Sequence, residues 1–190
     1  MRTILSLLLC TWEIGATAYG YSVPDQPDFV MLVAPADVQW FHLEGRYNYE
    51  GLDTGSMFLG LNAGAGDQLR LEGTAMVGAV FGDLAGIAPG LRVTLSWRKL
   101  DLSTENELVV DLDDPGASFF YSWSEFGLSP LPWLRLGAVA QRTRMVRSEL
   151  EIQRGLFASV SLFQTVTLAL YELNLGWATP TYIAAIGASY

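Results

Sequence analysis

The chain has 190 residues, 51% of them hydrophobic, only 16% charged, and a formal net charge of −9. It is too apolar and aromatic for a disordered chain, and 11 Lys+Arg against 20 Asp+Glu would repel a nucleic-acid phosphate backbone. A single cysteine and a single histidine exclude a disulfide framework or a zinc scaffold, and no uninterrupted apolar run reaches the ~18 residues of a spanning helix.

The amino terminus has the layout of an export signal. Met1-Arg2-Thr3 is positively charged, Ile4 to Trp12 is mostly apolar, and Ala16-Thr17-Ala18 supplies small residues at the A-x-A spacing. Residues 1–18 are therefore expected to be a cleaved signal peptide, cut near Ala18 or Tyr19. Cys10 follows Leu9 rather than a small residue, which argues against lipidation. Residues 19–37 are expected to form a periplasmic tether, because Pro24, Pro27 and Pro35 interrupt regular structure and Asp25, Asp28 and Asp37 keep it polar. The short run Phe29 to Val33 is left as an added strand or a turn of helix under the fold.

From residue 38 to 190 the hydrophobic period is two. Phe41, Leu43, Tyr47 and Tyr49 oppose His42, Glu44, Arg46 and Asn48; Met57, Leu59 and Leu61 oppose Ser56, Gly60 and Asn62. Leu69, Leu71, Val77 and Phe81 oppose Arg70, Glu72 and Thr74, and Leu91 to Trp97 opposes Arg92, Thr94, Ser96 and Arg98. Leu108 and Val110 oppose Glu107 and Asp111. The segment with Phe119, Tyr121 and Trp123 carries Glu125 on the same face and is ambiguous. Leu134 and Leu136 oppose Arg135 and Gln141; Ile152 to Leu162 opposes Glu151 and Gln153; Tyr171, Leu173 and Trp177 oppose Glu172; Tyr182 to Tyr190 ends the chain. Turn chemistry separates the segments, with Ala88-Pro89-Gly90 and Ser103-Thr104-Glu105-Asn106 taken as two of the breaks.

The count is ten strands of ~10 residues, long enough to cross a bilayer when tilted, with eight possible if the 91–112 hairpin is fused or discarded. A soluble sandwich would show more charge on its surface. Aromatic placement favours the all-β, closed, antiparallel transmembrane barrel. Phe41, Trp97, Trp133, Phe163 and Tyr190 fall near one rim, and Tyr47, Tyr49, Phe81, Phe119, Tyr121, Trp177 and Tyr182 near the other, as at two water–lipid interfaces.

On these residues the chain resembles the small bacterial outer-membrane β-barrel proteins. It ends in an alternating strand, Tyr182 to Tyr190, with a terminal aromatic. The resemblance implies an integral outer-membrane location, contact with outer-membrane lipids and lipopolysaccharide, and a Tyr190 signal read by the barrel-assembly machinery.

The inward face is predicted to hold a polar network of His42, Glu44, Arg46, Arg70, Glu72 and Arg92, continued by Arg98, Glu107, Asp111, Arg135, Glu151 and Glu172. Mixed charges of this kind fill or line a narrow barrel. The expected function is a non-enzymatic structural barrel or a narrow pore for ions and small solutes, with no cofactor and no metal. The alternative is a lipid-modifying or proteolytic barrel enzyme. Its base would be His42 beside Glu44, but no serine stands at a diagnostic spacing. Arg142, Arg144 and Arg147 lie around an expected outer loop, either as a solvated face paired with Glu149 and Glu151 or as contacts to lipopolysaccharide phosphates.

Overall fold

A computed structural model describes residues 11–145, 151–176 and 179–190. Among them are twelve strands: β1 (Glu13–Ser22), β2 (Phe29–Val38), β3 (Phe41–Tyr47), β4 (Thr54–Ala65), β5 (Leu69–Gly82) and β6 (Gly86–Trp97), followed by β7 (Leu100–Asp111), β8 (Phe119–Leu131), β9 (Leu134–Met145), β10 (Glu151–Leu162), β11 (Val166–Leu173) and β12 (Thr181–Ser189). Each pairs antiparallel with its neighbours in sequence, and β1 closes the barrel against β12.

The count is twelve, not ten or eight. The ten expected segments are β3 to β12. The two further strands come from the end of the expected signal peptide and from the expected tether. β1 runs through Ala16-Thr17-Ala18 and is paired along both edges, from Gly15↔Ser189 to Ser22↔Tyr182 on one side and from Glu13↔Asp37 to Tyr21↔Phe29 on the other. These strands hide from a periodicity argument for physical reasons. β1 puts Ala16, Ala18 and Gly20 outward, too small to mark an oily face, while Thr17, Tyr19 and Tyr21 line an interior cavity. β2 is apolar on both faces, with Met31 and Val33 inward and Val30 and Leu32 exposed outward.

Pro35 also reads as a strand breaker, yet the barrel absorbs it. The β1–β2 pairs lapse opposite Pro35, whose nitrogen has no hydrogen to donate, and resume in unchanged register from Ile14↔Ala36 to Thr17↔Val33. Gly15 leaves space beside the proline ring. Pro89 does the same inside β6, where the pairs with β7 pass from Ile87↔Val110 to Gly90↔Glu107. Ala88-Pro89-Gly90 is therefore strand, as is Ser103-Thr104-Glu105-Asn106 within β7; the true turn is Arg98-Lys99, with Arg98 at a left-handed φ of 57°.

The two ends of the barrel differ. At one, the turns 39–40, 66–68, 98–99, 132–133 and 163–165 are short, and both ends of the paired sheet lie there. At the other, connections such as 23–28, 48–53, 112–118 and 174–180 are longer. Between them the outer wall is apolar: Met57, Leu59 and Leu61 alternate as exposed residues with buried Ser56, Phe58 and Gly60. This is the inverse of a soluble barrel. Leu91→Arg, near the middle of β6 on the outer face, is expected to destabilise the barrel in lipid by about 2–4 kcal/mol, whereas inward Thr94→Arg costs under about 1 kcal/mol. Urea titration of both variants in vesicles measures this, and equal costs would contradict the assignment of faces.

Candidate functional site in the lumen

The lumen is not uniformly polar. Phe58, Met76, Val80, Ala88 and Val109 form one apolar wall, and Val139, Phe157, Leu173 and Ile183 form another with Trp123 and Tyr171 packed on it. Glycine makes room for the large rings: a Cβ at Gly78 would strike the Phe58 ring, and one at Gly137 would strike Phe157.

The charges gather in two sets between these walls. Alternation on β3 points His42, Glu44 and Arg46 inward, and all three are buried. Arg46 is the hub. Its Nε donates to Glu44 at 2.6 Å, Nη1 to Glu107 at 2.8 Å, and Nη2 to Glu105 at 2.8 Å. Its guanidinium lies between the rings of Tyr49, at 4.1 Å, and Phe58, at 4.2 Å. Arg92 on β6 joins from the opposite side, donating to Glu105 at 3.0 Å and Glu44 at 3.1 Å. The second set centres on Arg135, which holds Asp101 and Glu125. Glu125 also accepts from Trp123 Nε1 at 2.9 Å.

The 48–53 loop feeds the first set. Asn48 and Asp53 take left-handed φ angles of 57° and 51°, and the Asp53 backbone N–H donates to Asn48 Oδ1 at 2.8 Å. The chain thereby turns inward at Tyr49, whose hydroxyl donates to Glu105 at 2.9 Å. Glu50 follows, accepting from Ser56 at 2.8 Å with Arg46 Nη1 at 3.6 Å. Burial raises the Glu50 carboxyl above the usual carboxylate range, against the opposing pull of Arg46 and Ser56.

Two cavities occupy the interior. One of about 740 Å³ opens toward the short-turn end and is lined by Glu13, Asp37, His42, Asn62, Arg70, Glu72 and Arg92 among others. A second of about 250 Å³ lies against Tyr19, Tyr21, Tyr49, Tyr121, Trp123 and Tyr171, with Glu44, Arg92, Glu105 and Glu125. Arg92 lines both. At the edge of the larger cavity His42 Nδ1 meets Asp37 at 2.7 Å, and Asn62 donates to the same carboxylate at 2.6 Å. His42 Nε2 is 3.7 Å from Glu44 and has no hydrogen-bond partner among the described residues.

Of the expected network, His42, Glu44, Arg46, Arg92, Glu107 and Arg135 meet in these sets. Arg70 and Glu72 pair at 2.7 Å but are exposed at the mouth of the larger cavity. Arg98 leaves the lumen and lies over the Trp97 ring at 5.0 Å. Asp111 braces a loop, accepting from the backbone N–H groups of Asp113 and Asp114 at 2.8 Å each. Glu151 is exposed and bonded by Gln153. Glu172 faces outward, beside Leu156 and Tyr182 in the register, because Tyr171 and Leu173 take the inward positions. Charge-inward reasoning fails on β11 because this part of the lumen is packed with rings and aliphatic chains.

Among the aromatic residues, Trp97 and Trp133 are exposed at the short-turn end with Tyr190, and Phe41 is half-buried there; Tyr47, Phe81 and Tyr182 are exposed at the other end. Tyr49 and Tyr121 lie in the lumen instead, and Trp177 is outside the described residues. Arg142 and Arg144 sit at the long-loop end of β9, with Arg142 6.0 Å from the Phe120 ring; Arg147 is outside the described residues.

The predicted lumen network lacks Asp37, Glu50, Asp101, Glu105 and Glu125. Asp101 and Glu105 share the odd-numbered inward row of Glu107 and Asp111, a signal masked by treating 103–106 as a turn.

No protein-family model matches the chain, and no curated protein matches it in sequence. Solved structures do match in shape. The barrel is similar to a KdgM porin in complex with disordered oligogalacturonate, with a TM-score of 0.66 at 8% identity over 93% of this chain and 99% of that one. It is similar to the Acinetobacter baumannii outer membrane protein Omp33, with a TM-score of 0.54 at 9% identity over 94% and 98%. It is also similar to Pseudomonas aeruginosa OccK3 (OpdO), with a TM-score of 0.52 at 12% identity over 90% of this chain and 60% of that one. At such identities the likeness is one of fold, and the fold is that of bacterial outer-membrane β-barrels.

Proposed function

We propose that the chain is a narrow outer-membrane channel that passes small solutes and prefers cations. In the usual orientation of such barrels, the short turns and both termini face the periplasm and the longer loops face outward. The observation that carries the reading is the position of Arg92. It lines both interior cavities, framed by Glu44 and Glu105, and so stands between them, where we place the constriction of the channel. A ring of charged side chains at a constriction sorts ions by sign.

The sign follows from the groups around it. Arg46, Arg92 and Arg135 are three guanidiniums; Glu44, Glu105, Asp101 and Glu125 are four carboxylates paired with them, and the Glu50 and Glu107 carboxyls stand beside Arg46. An oligogalacturonate, the ligand named for the KdgM porin, is a chain of carboxylates; a lumen with carboxylates in excess suits the opposite charge. The enzyme alternative finds no support at His42, since no hydroxyl among the described residues is hydrogen-bonded to its ring.

Purified barrel in a planar bilayer under a KCl gradient tests this. The expected result is a small unit conductance with a reversal potential favouring K⁺. Arg92→Ala should raise conductance by roughly twofold and sharpen the preference for K⁺. Absence of current, or a reversal potential favouring Cl⁻, overturns the reading.

A further inference from the structure

The smaller cavity has a composition that the conduction of inorganic ions does not require. Six ring-bearing side chains surround it: Tyr19 and Tyr21 from β1, Tyr49 from the loop, Tyr121 and Trp123 from β8, and Tyr171 from β11. The rings brace one another. Tyr49 meets Tyr121 edge to face at 5.7 Å, and Trp123 meets Tyr171 edge to face at 5.4 Å. Pairs locked in this way hold their rings in place, so a ligand meets them at little cost in side-chain entropy.

We propose that this chamber is a binding site for a small organic cation, a quaternary ammonium or protonated alkylamine, on its way through the channel. The inference rests on the channel reading and adds the class of solute. Three features support it. Aromatic faces attract a diffuse ammonium charge through the ring quadrupole, and they do so best where water is scarce. The carboxylates lining the chamber, Glu44, Glu105 and Glu125, outnumber its one lining cation, Arg92. The volume of about 250 Å³ lies below the ~300–1,000 Å³ of sites for drug-sized ligands, so the ligand is a small one.

The division of labour among the carboxylates points the same way. Glu125 is the carboxylate held beside the Trp123–Tyr171 pair, through the Trp123 Nε1 bond. Its arginine, Arg135, bonds it through Nη1 alone, gives Nε and Nη2 to Asp101, and lies over the Phe157 ring at 4.5 Å. Arg135 is not among the groups lining the chamber, whereas Glu125 is. The chamber therefore has a carboxylate and two aromatic side chains together on one wall, the residue types that hold a methylated ammonium.

The test uses tetramethylammonium, with tert-butanol as a neutral probe of similar size. Tetramethylammonium added to the reconstituted protein should block the K⁺ current in a concentration-dependent way, and tert-butanol should not. Trp123→Leu should raise the half-blocking concentration by roughly tenfold. Glu125→Gln, which keeps the shape and leaves Arg135 paired with Asp101, should weaken the cation by several-fold without creating a response to tert-butanol. Isothermal titration of detergent-solubilised barrel reads binding independently of current. Binding without conductance would retain the site and remove the channel reading; conductance without binding or block would do the reverse. Equal affinity for the two probes, or equal affinity in native protein and Glu125→Gln, overturns the proposal.

Discussion

Arg46→Met is expected to be among the most damaging substitutions in the lumen, destabilising the barrel by about 3–5 kcal/mol. Arg46 is buried and holds Glu44, Glu105 and Glu107 within 2.8 Å, with Glu50 at 3.6 Å. Arg92 continues to serve Glu44 and Glu105 after the substitution, but Glu50 and Glu107 lose the guanidinium that pairs them. Removing one partner of a buried ionic cluster leaves desolvated charge without compensation, which costs more than the cluster contributed when intact. The Tyr49 and Phe58 rings also lose the plate between them. Adding Glu107→Gln to Arg46→Met should recover part of the loss, with a coupling of about 0.5–3 kcal/mol. Urea unfolding in lipid vesicles, followed by tryptophan fluorescence, measures both. A cost below about 1 kcal/mol for the single variant would show that the cluster is hydrated rather than buried.

A chain beginning at Tyr19 is expected not to close, with folded yield reduced at least tenfold or so relative to a chain beginning at Thr11. The truncation removes Glu13–Ala18 from β1 and leaves the four residues Tyr19–Ser22. Ile186, Gly187, Ala188 and Ser189 of β12 lose their partners, as do Leu32, Val33, Ala36 and Asp37 of β2 where those strands had faced β1. In hydrocarbon each unpaired backbone N–H or C=O costs several kcal/mol, because no water replaces the lost partner. Gel mobility of unheated against heated samples distinguishes the closed barrel from the open chain. A truncated protein that still migrates as a compact form, with native conductance, would mean that β1 is dispensable. The same experiment tells whether an export cut near Ala18, expected from Ala16-Thr17-Ala18, is compatible with a functional barrel.

The parts of the molecule legible in the sequence are those where one face is oily and the other is not. Leu59 and Leu61 against Ser56, and Leu91 and Leu95 against Arg92 and Thr94, alternate because lipid and lumen are different solvents on the two sides of one strand. That contrast was enough for ten strands, for the outward faces of β3 to β6, and for His42, Glu44, Arg46, Arg92 and Glu107 as inward groups. It failed wherever the two faces were alike. β2 is apolar on both sides, β1 has outward residues too small to register, and β11 hides Tyr171 and Leu173 in a lumen packed with rings.

The sequence by itself determined that this is an all-β chain with an apolar exterior, since period and composition act locally, residue by residue. Closure and content were decided only in three dimensions. The twelfth-to-first pairing joins residues at opposite ends of the chain, and Arg46 finds Glu105 and Glu107 about sixty positions away. Tyr49 enters the lumen because the turn at Asn48 breaks the alternation, and Pro35 and Pro89 remain in strands because neighbours on both sides keep the register. Which carboxylate meets which guanidinium depends on strand number and stagger, and these are properties of the closed ring rather than of any one segment.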